Sequence, residues 1–274
     1  MSFLDALVLG LVQGLTEFLP VSSTGHLILA REYLDLPLSG GLAYDAVLHL
    51  ATAAAVLIYF RKDFLALART LLGYVRGKIS APENSQLFLA LLIGTLPAVA
   101  LGLLFQDSIE HAFRSPTLVA YALIAGSAIF LAAEYVLSIR TRHGFTIYGK
   151  TAPSWKNALV IGFFQALALV PGMSRSGMTI SAGLFVGFSR EEATRFAFLL
   201  SFPVILGAGG LKLFELFSTP EEGATLAILT GAVAAFLAGI TAIHGLLLFV
   251  RRYSLIPFVI YRLLLAAIVL IFLS

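Results

Sequence analysis

Residues 13–26 read QGLTEFLPVSSTGH, and residues 171–179 read PGMSRSGMT. Each stretch interrupts an otherwise apolar region, over residues 1–40 in the first case and 155–190 in the second. Both contain proline, glycine and several hydroxyls, which favour a turn over a helix interior. The halves on either side are too short to cross a bilayer, because a spanning helix needs about 20 apolar residues. The pattern therefore predicts two re-entrant hairpins, each made of a half-helix, a polar turn and a second half-helix.

The composition around these stretches is that of a membrane protein. Of the 274 residues, 59% are hydrophobic and only 12% are Asp, Glu, Lys or Arg, whereas a soluble domain carries about 25% charged residues. So few charges cannot cover the exterior of a soluble domain, which excludes that class. The net charge of +3 comes without a basic stripe that carries aromatics, so no nucleic acid is expected as a partner. Because the chain has no cysteine, disulfides and thiolate nucleophiles are excluded as well.

Six further stretches are long and apolar enough to predict membrane-spanning helices. They are residues 43–60, 87–105, 117–138, 196–217, 225–250 and 256–273. Together with the two hairpins they predict an all-α polytopic membrane protein, in which residues 1–274 form one integral membrane domain. Irregular backbone at membrane depth is stable only when protein or a wet cavity surrounds it, so both polar turns are expected in the interior.

The two interrupted regions resemble each other at an offset of 152 positions, which predicts an internal repeat. The identical pairs are Gly10 and Gly162, Gln13 and Gln165, Leu15 and Leu167, Ser22 and Ser174, Gly25 and Gly177, and Ile28 and Ile180. Residues 1–150 and 151–274 would each contain one hairpin and three spans. A hairpin returns to its own side and three spans are an odd number, so the second repeat must be inverted, as in many transporters.

The positions of the basic residues orient this topology. Thirteen of the eighteen Lys and Arg residues fall on the side opposite the N-terminus, and three fall on the N-terminal side. Because basic loops remain in the cytoplasm, both termini are predicted to lie outside. An arrangement of eight full spans would scatter the same charges over both sides, so the asymmetry favours six spans and two hairpins.

The two turns would bring an unusual set of polar side chains to membrane depth. The ionisable ones are Glu17, His26 and Arg175, and Ser23 lies between the first two. Gln13, Ser22, Thr24, Ser174, Ser176 and Thr179 complete the set. A charge at the bilayer centre costs about 2.5–3.5 kcal/mol even on the lenient scale, so these positions point to function. Alternatively, the hydroxyl-bearing residues have only a structural role, in which each hydroxyl bonds to a backbone carbonyl of its helix.

The chemistry of this set favours a phosphate-containing anion. An arginine presents a planar fork to phosphate oxygens, and polar turns at the start of half-helices expose N–H groups to an anion. His and Glu can move protons, and a serine near them can act as a nucleophile. The residues alone do not decide whether a bond is broken. A secondary transporter of an anionic or lipid-linked substrate is the main alternative, since it would share this inverted-repeat architecture.

Both motifs resemble those of the undecaprenyl-diphosphate phosphatases, also called bacitracin-resistance proteins. The resemblance extends along nearly the whole chain, including PAVALGLLF at 97–105 and IPFVIYR at 256–262. Gln13 stands where many members of that family have Glu, so Glu17 is the one carboxylate in the first motif. The resemblance therefore favours a phosphatase over a secondary transporter.

The resemblance implies an enzyme of the bacterial inner (plasma) membrane that hydrolyses undecaprenyl diphosphate to undecaprenyl phosphate. That reaction recycles the lipid carrier for peptidoglycan and other cell-wall glycans. The site would open to the outer face and use a divalent cation, Mg²⁺ or Ca²⁺, without an organic cofactor. The expected partners are a polyprenyl diphosphate lipid, the bilayer and a second copy of the chain in a homodimer.

On the matching positions, the resemblance makes Glu17, Ser23, His26 and Arg175 the core of the site. Gln13, Ser22, Thr24, Ser174, Ser176 and Thr179 are assigned to substrate binding. Arg175 would neutralise the diphosphate, and Glu17 would activate the nucleophile, orient His26 or hold the cation. Three hypotheses remain open for the attack on phosphorus: Ser23, His26 as a phosphohistidine, or water directly. Asp45 and His49 would either form the rim of the cavity or pair structurally.

Overall fold

The computed structural model describes residues 2–33, 41–77, 81–112, 115–145, 147, 149, 152–218 and 225–272, with the side chains of 41–43, 106–112, 211–218 and 225 left aside. This part of the chain is helical and contains no strand. Its helices are α1 (Phe3–Phe18), α2 (Ser23–Tyr33), α3 (Gly41–Tyr59), α4 (Arg61–Val75), α5 (Pro82–Ala112), α6 (Pro116–Arg142), α7 (Trp155–Leu167), α8 (Arg175–Phe185), α9 (Arg190–Ser218), α10 (Thr225–Val250) and α11 (Ile256–Phe272). The all-α prediction is therefore confirmed for the described residues.

Four helices in the described part are long and apolar enough to cross a bilayer. These segments are Pro82–Phe105, Pro116–Arg142, Arg190–Gly210 and Leu226–Val250. Two further predicted spans, 43–60 and 256–273, coincide with the shorter apolar helices Tyr44–Tyr59 and Ile256–Phe272. The chain is thus a multi-pass membrane protein by length and composition of its helices.

Each of the two interrupted regions contains a pair of short helices. In the first region α1 has 16 residues and α2 has 11. In the second region α7 has 13 residues and α8 has 11. All four are shorter than the about 20 residues that a spanning helix needs. Each polar motif contains the turn between the two helices of its pair and extends into a neighbouring helix, and the turn is where its Pro, Gly and Ser content predicts one.

The two turns share an unusual backbone geometry. Ser22 (φ 77°) and Ser174 (φ 74°) are the two non-glycine residues with positive φ in the described chain. Each precedes a short helix, and each Oγ accepts a hydrogen bond from the backbone N–H three residues on, at 3.3 Å from Gly25 and 3.2 Å from Gly177. These are the matched positions of the sequence comparison. Such strained residues persist only where the surroundings over-determine them, and they cluster at functional sites.

The first helix of each pair packs closely along a long helix from the other half of the chain. Helix α1 lies along α10, where Gly10 and Gly14 leave no room for a Cβ atom. Helix α7 lies along α5, where Gly162 is equally confined. Close backbone approach through small residues is the usual way helices associate in lipid. This packing buries one face of α1 and one face of α7, while side chains such as Leu11 and Phe163 remain exposed.

Candidate active site

The two turns meet through direct contacts between residues that are 150 or more positions apart. Arg175, at the start of α8, forms an ion pair with Glu17 near the end of α1. Ser176 Oγ donates to the Leu19 carbonyl at 3.1 Å, and the Gly172 N–H donates to Ser22 Oγ at 3.2 Å. In the described residues the two motifs therefore face each other.

Glu17 lies at the centre of these contacts and is only 4% exposed. Its Oε2 accepts from Ser23 Oγ at 2.5 Å and from Gln13 Nε2 at 2.9 Å, while Arg175 donates to Oε1. His49 Nδ1 lies 3.7 Å from Oε2 and 2.9 Å from Gln13 Nε2. A carboxylate this close to a serine hydroxyl can take its proton, which is what a nucleophilic serine requires.

These groups border one cavity of about 320 Å³. Its polar wall includes side chains from both motifs, namely Glu17, Ser22, Ser23, Thr24, Ser174 and Arg175. Its apolar wall includes Ala98, Leu169, Val204, Ile205 and Ala208. A cavity with convergent polar groups at one side and aliphatic surface at the other suits a ligand with a charged head and an apolar chain.

The hydrogen bonds of the His26 ring are made with Ser22 and Tyr261 and not with Ser23. Its Nδ1 lies 2.7 Å from the Ser22 carbonyl, its Nε2 lies 2.6 Å from Tyr261 Oη, and the two rings are stacked. A carbonyl only accepts, so Nδ1 carries a proton, and in the neutral ring Nε2 accepts from the tyrosine. His26 is not among the described residues that line the cavity. In this geometry it braces the first turn.

The hydroxyls of the second motif mostly bond within the turns. Ser174 Oγ lies 3.2 Å from Ser176 Oγ, and Thr179 Oγ1 donates to the Arg175 carbonyl at 2.8 Å. Of these three hydroxyl residues, Ser174 borders the cavity. Gln13 is fully buried and joins Glu17 to His49. The structure therefore places Gln13, Ser176 and Thr179 behind the cavity wall, where they hold its lining residues.

Three further residues border the cavity: the sequence predicts for Asp45 and His49 either a place at its rim or a structural pairing, and for Arg31 no role. Arg31 Nη2 pairs with Asp45 Oδ1 at 2.5 Å, and both residues border the cavity together with His49. The signal in the sequence is that Asp45 and His49 are four residues apart and so share one helix face. Arg31 gave no signal, because a basic residue at the end of a short helix is typical of any helix C-terminus.

The residues around Glu17 offer oxygen ligands of the kind that Mg²⁺ and Ca²⁺ take. Gln13 Oε1 is buried without a hydrogen-bond partner among the described residues, and the carboxylates of Glu17 and Asp45 border the cavity. No group of three or more His, Cys, Asp or Glu side chains is clustered as a metal site in the described part of the chain. This donor set fits a cation held jointly by protein oxygens and a bound phosphate, not a closed structural site.

Fold and site together define a class: an all-helical, multi-pass membrane protein with a cavity lined by residues of two polar motifs. The chain belongs to the family described as bacitracin resistance protein BacA, whose sequence profile matches residues 6–268. The undecaprenyl-diphosphatase of Thioalkalivibrio sulfidiphilus is 44% identical over 268 residues, which covers 97% of each chain. Proteins of the same name from Chromohalobacter salexigens (40% identical, 100% of each chain) and Mycolicibacterium gilvum (42% identical, 100% of this chain and 98% of the relative) are also similar.

Proposed function

We propose that this chain hydrolyses undecaprenyl diphosphate to undecaprenyl phosphate and inorganic phosphate. The observation that carries the proposal is the buried contact of Ser23 and Arg175 with one carboxylate, Glu17. This contact brings together a nucleophile (Ser23) and a base (Glu17) from the first motif and a guanidinium that can bind phosphate (Arg175) from the second. Relatives that align with 97% and 100% of this chain carry the name undecaprenyl-diphosphatase.

The geometry supports Ser23 as the group that attacks the terminal phosphorus. The bond from Ser23 Oγ to phosphorus would form as the bond from phosphorus to the bridging oxygen breaks, and undecaprenyl phosphate would leave. Glu17 would accept the serine proton, since its Oε2 lies 2.5 Å from Oγ. Water would then hydrolyse the phosphoserine, and Arg175 would stabilise the charge that develops on the phosphoryl oxygens. Attack by His26 is disfavoured because both of its ring nitrogens are engaged by Ser22 and Tyr261.

A divalent cation, Mg²⁺ or Ca²⁺, belongs to the proposal. Among the described lining residues, Glu17 and Asp45 carry negative charges that balance the positive charges of Arg31 and Arg175. A diphosphate entering this neutral lining needs further positive charge, which a cation would supply when bound. The carboxylates of Glu17 and Asp45, which border the cavity, are the oxygens that would hold it.

The finer topology is also proposed: six spans, two re-entrant hairpins and an inverted repeat of residues 1–150 and 151–274. The matched positive φ angles of Ser22 and Ser174 support it, as does the packing of α1 on α10 and of α7 on α5. Both termini and the opening of the site would lie outside the inner (plasma) membrane. A cysteine introduced at Arg69 should then react only from the cytoplasmic side. A homodimer in the bilayer completes the proposal, and the mass of the purified protein in detergent tests it.

Phosphate release from a polyprenyl diphosphate by the purified protein tests the function. We expect release that depends on Mg²⁺ or Ca²⁺ and is lost in R175A and S23A proteins that remain monodisperse. The alternative, a secondary transporter, finds no support in the relatives described above, whose names are those of diphosphatases. It would be favoured if intact protein moved the lipid between leaflets of a vesicle without releasing phosphate.

A further inference from the structure

Arg262 of α11 is completely buried, and its guanidinium reaches the second motif. Nη2 donates to the Gly172 carbonyl at 3.0 Å and to the Leu123 carbonyl at 3.0 Å, and Nε donates to Ser127 Oγ at 3.1 Å. The guanidinium carbon lies 4.7 Å from the centre of the Phe130 ring. A long, charged side chain is thus fixed in one position by four neutral groups.

The Gly172 residue that Arg262 holds is part of the site. Gly172 borders the cavity and has a φ of 101°. Its N–H donates to Ser22 Oγ of the first turn, while its carbonyl accepts from Arg262. This residue of the second motif is therefore hydrogen-bonded on both sides, to Ser22 through its N–H and to Arg262 through its carbonyl.

Arg262 also differs from the two arginines that border the cavity. Arg175 is paired with Glu17 and Arg31 with Asp45. No carboxylate pairs with Arg262 among the described residues, and its buried Nη1 has no hydrogen-bond partner there. Burying an uncompensated charge is costly, so a retained one needs an anion to balance it. The cavity lies one residue away, through Gly172.

Two glycines make room for this arrangement. A Cβ atom on Gly126 would collide with Arg262 Nη2, and one on Gly177 would collide with the ring of Phe130. Gly177 belongs to the second motif, so the ring that supports the guanidinium also packs directly under the phosphate-binding turn. The local sequence is therefore adapted to the position of the guanidinium.

We propose that Arg262 is a positioning residue for the diphosphate. It fixes the carbonyl of Gly172, the residue whose N–H bonds to Ser22 of the first turn. It also gives the otherwise neutral site an excess positive charge. The inference rests on the proposed hydrolysis of undecaprenyl diphosphate, which it extends by a residue outside the cavity wall.

The test separates charge from geometry with three variants. R262M removes the charge, R262K keeps the charge but loses the fork, and G126A keeps the arginine while displacing its Nη2. Two quantities are measured for each: the affinity for inorganic pyrophosphate, and kcat and KM with a polyprenyl diphosphate. R140M is the matched control, because Arg140 donates to the Phe185 carbonyl at the opposite end of α8 at 3.1 Å.

We expect R262M to weaken pyrophosphate binding and raise KM by about tenfold or more, the scale of one charge acting at short range in a protein. R262K should bind pyrophosphate within about threefold of wild type and lose mainly kcat, since a charge persists without its directional bonds. G126A should likewise lower kcat and leave KM near wild type. R140M should lower stability with neither effect.

Wild-type pyrophosphate affinity in R262M, or equal losses in R262K and R262M, would overturn the proposal. If R262M does not fold, wild-type kcat in G126A would overturn it as well. Absence of phosphate release by the wild-type protein would instead count against the proposed function. The pyrophosphate measurement distinguishes the two cases, because it needs no turnover.

Discussion

Replacement of Glu17 by Gln tests the core of the site, because it removes one charge and keeps the shape of the side chain. Glu17 is 4% exposed and accepts hydrogen bonds from three side chains, those of Gln13, Ser23 and Arg175. A neutral amide cannot take the serine proton. Loss of a general base lowers kcat by about 10²–10⁴-fold, so E17Q should have less than about a hundredth of wild-type phosphate release.

The same change leaves Arg175 buried without its carboxylate. Removing one partner of a buried ion pair costs about 3–5 kcal/mol. We expect the lower end of this range, because 19% of the Arg175 side chain is exposed to the cavity. For a chain of this length, about 3 kcal/mol lowers Tm by roughly 6–12 °C. The released arginine should also bind inorganic pyrophosphate more tightly than it does in the wild-type protein.

The double variant E17Q/R175M separates the two effects. Removing the uncompensated cation should restore much of the lost Tm, while phosphate release stays absent. Differential scanning fluorimetry in detergent and a colorimetric phosphate assay measure both quantities on the same preparations. These two roles of Glu17 are wrong if E17Q keeps more than a tenth of wild-type phosphate release, or if adding R175M does not raise the Tm of the E17Q protein.

Three further predictions follow from the contacts of the site. S23A should abolish phosphate release and leave pyrophosphate affinity near wild type, which a binding measurement beside the phosphate assay checks; unchanged release would remove Ser23 as the nucleophile. Y261F deletes the donor to His26 Nε2, worth about 1 kcal/mol or roughly fivefold in rate, so kcat should fall by that factor. Y59F, which breaks a tyrosine–histidine contact outside the cavity, should leave kcat unchanged, and equal rates in both would contradict the bracing role. G177A forces a methyl group into a buried aromatic ring, so unfolding should be easier by about 1–3 kcal/mol, and a wild-type Tm would show that the turn has room.

The two pairs of short helices were predictable because proline, glycine and serine interrupt apolar segments at two places, and those residues disfavour helix. Helix α4 (Arg61–Val75) was not predicted. Its 15 residues include the charged Arg61, Lys62, Asp63 and Arg69 among apolar side chains, so a search for long apolar stretches passes over it. The predicted spans 43–60 and 256–273 coincide with α3 and α11, because both are continuous apolar stretches.

The Glu17–Arg175 pair was foreseeable, because two charges at membrane depth are stable only near each other. The partners of His26 and Arg262 were not. Tyr261 lies 235 positions from His26, and Arg262 bonds to backbone carbonyls that carry no sequence signal. Proximity along the chain suggested that His26 serves Ser23, but the turn directs its ring towards α11. Tertiary packing, which residue spacing does not encode, decided both positions.

We propose that the two turns form one site, in which Ser23 attacks the terminal phosphorus of undecaprenyl diphosphate. Rapid quenching of the wild-type protein with substrate labelled in its terminal phosphate tests this most directly. We expect label on the peptide that contains Ser23, and no label in E17Q or R175A. Label on His26, or single-turnover release with solvent oxygen in the phosphate and no labelled protein, would contradict it.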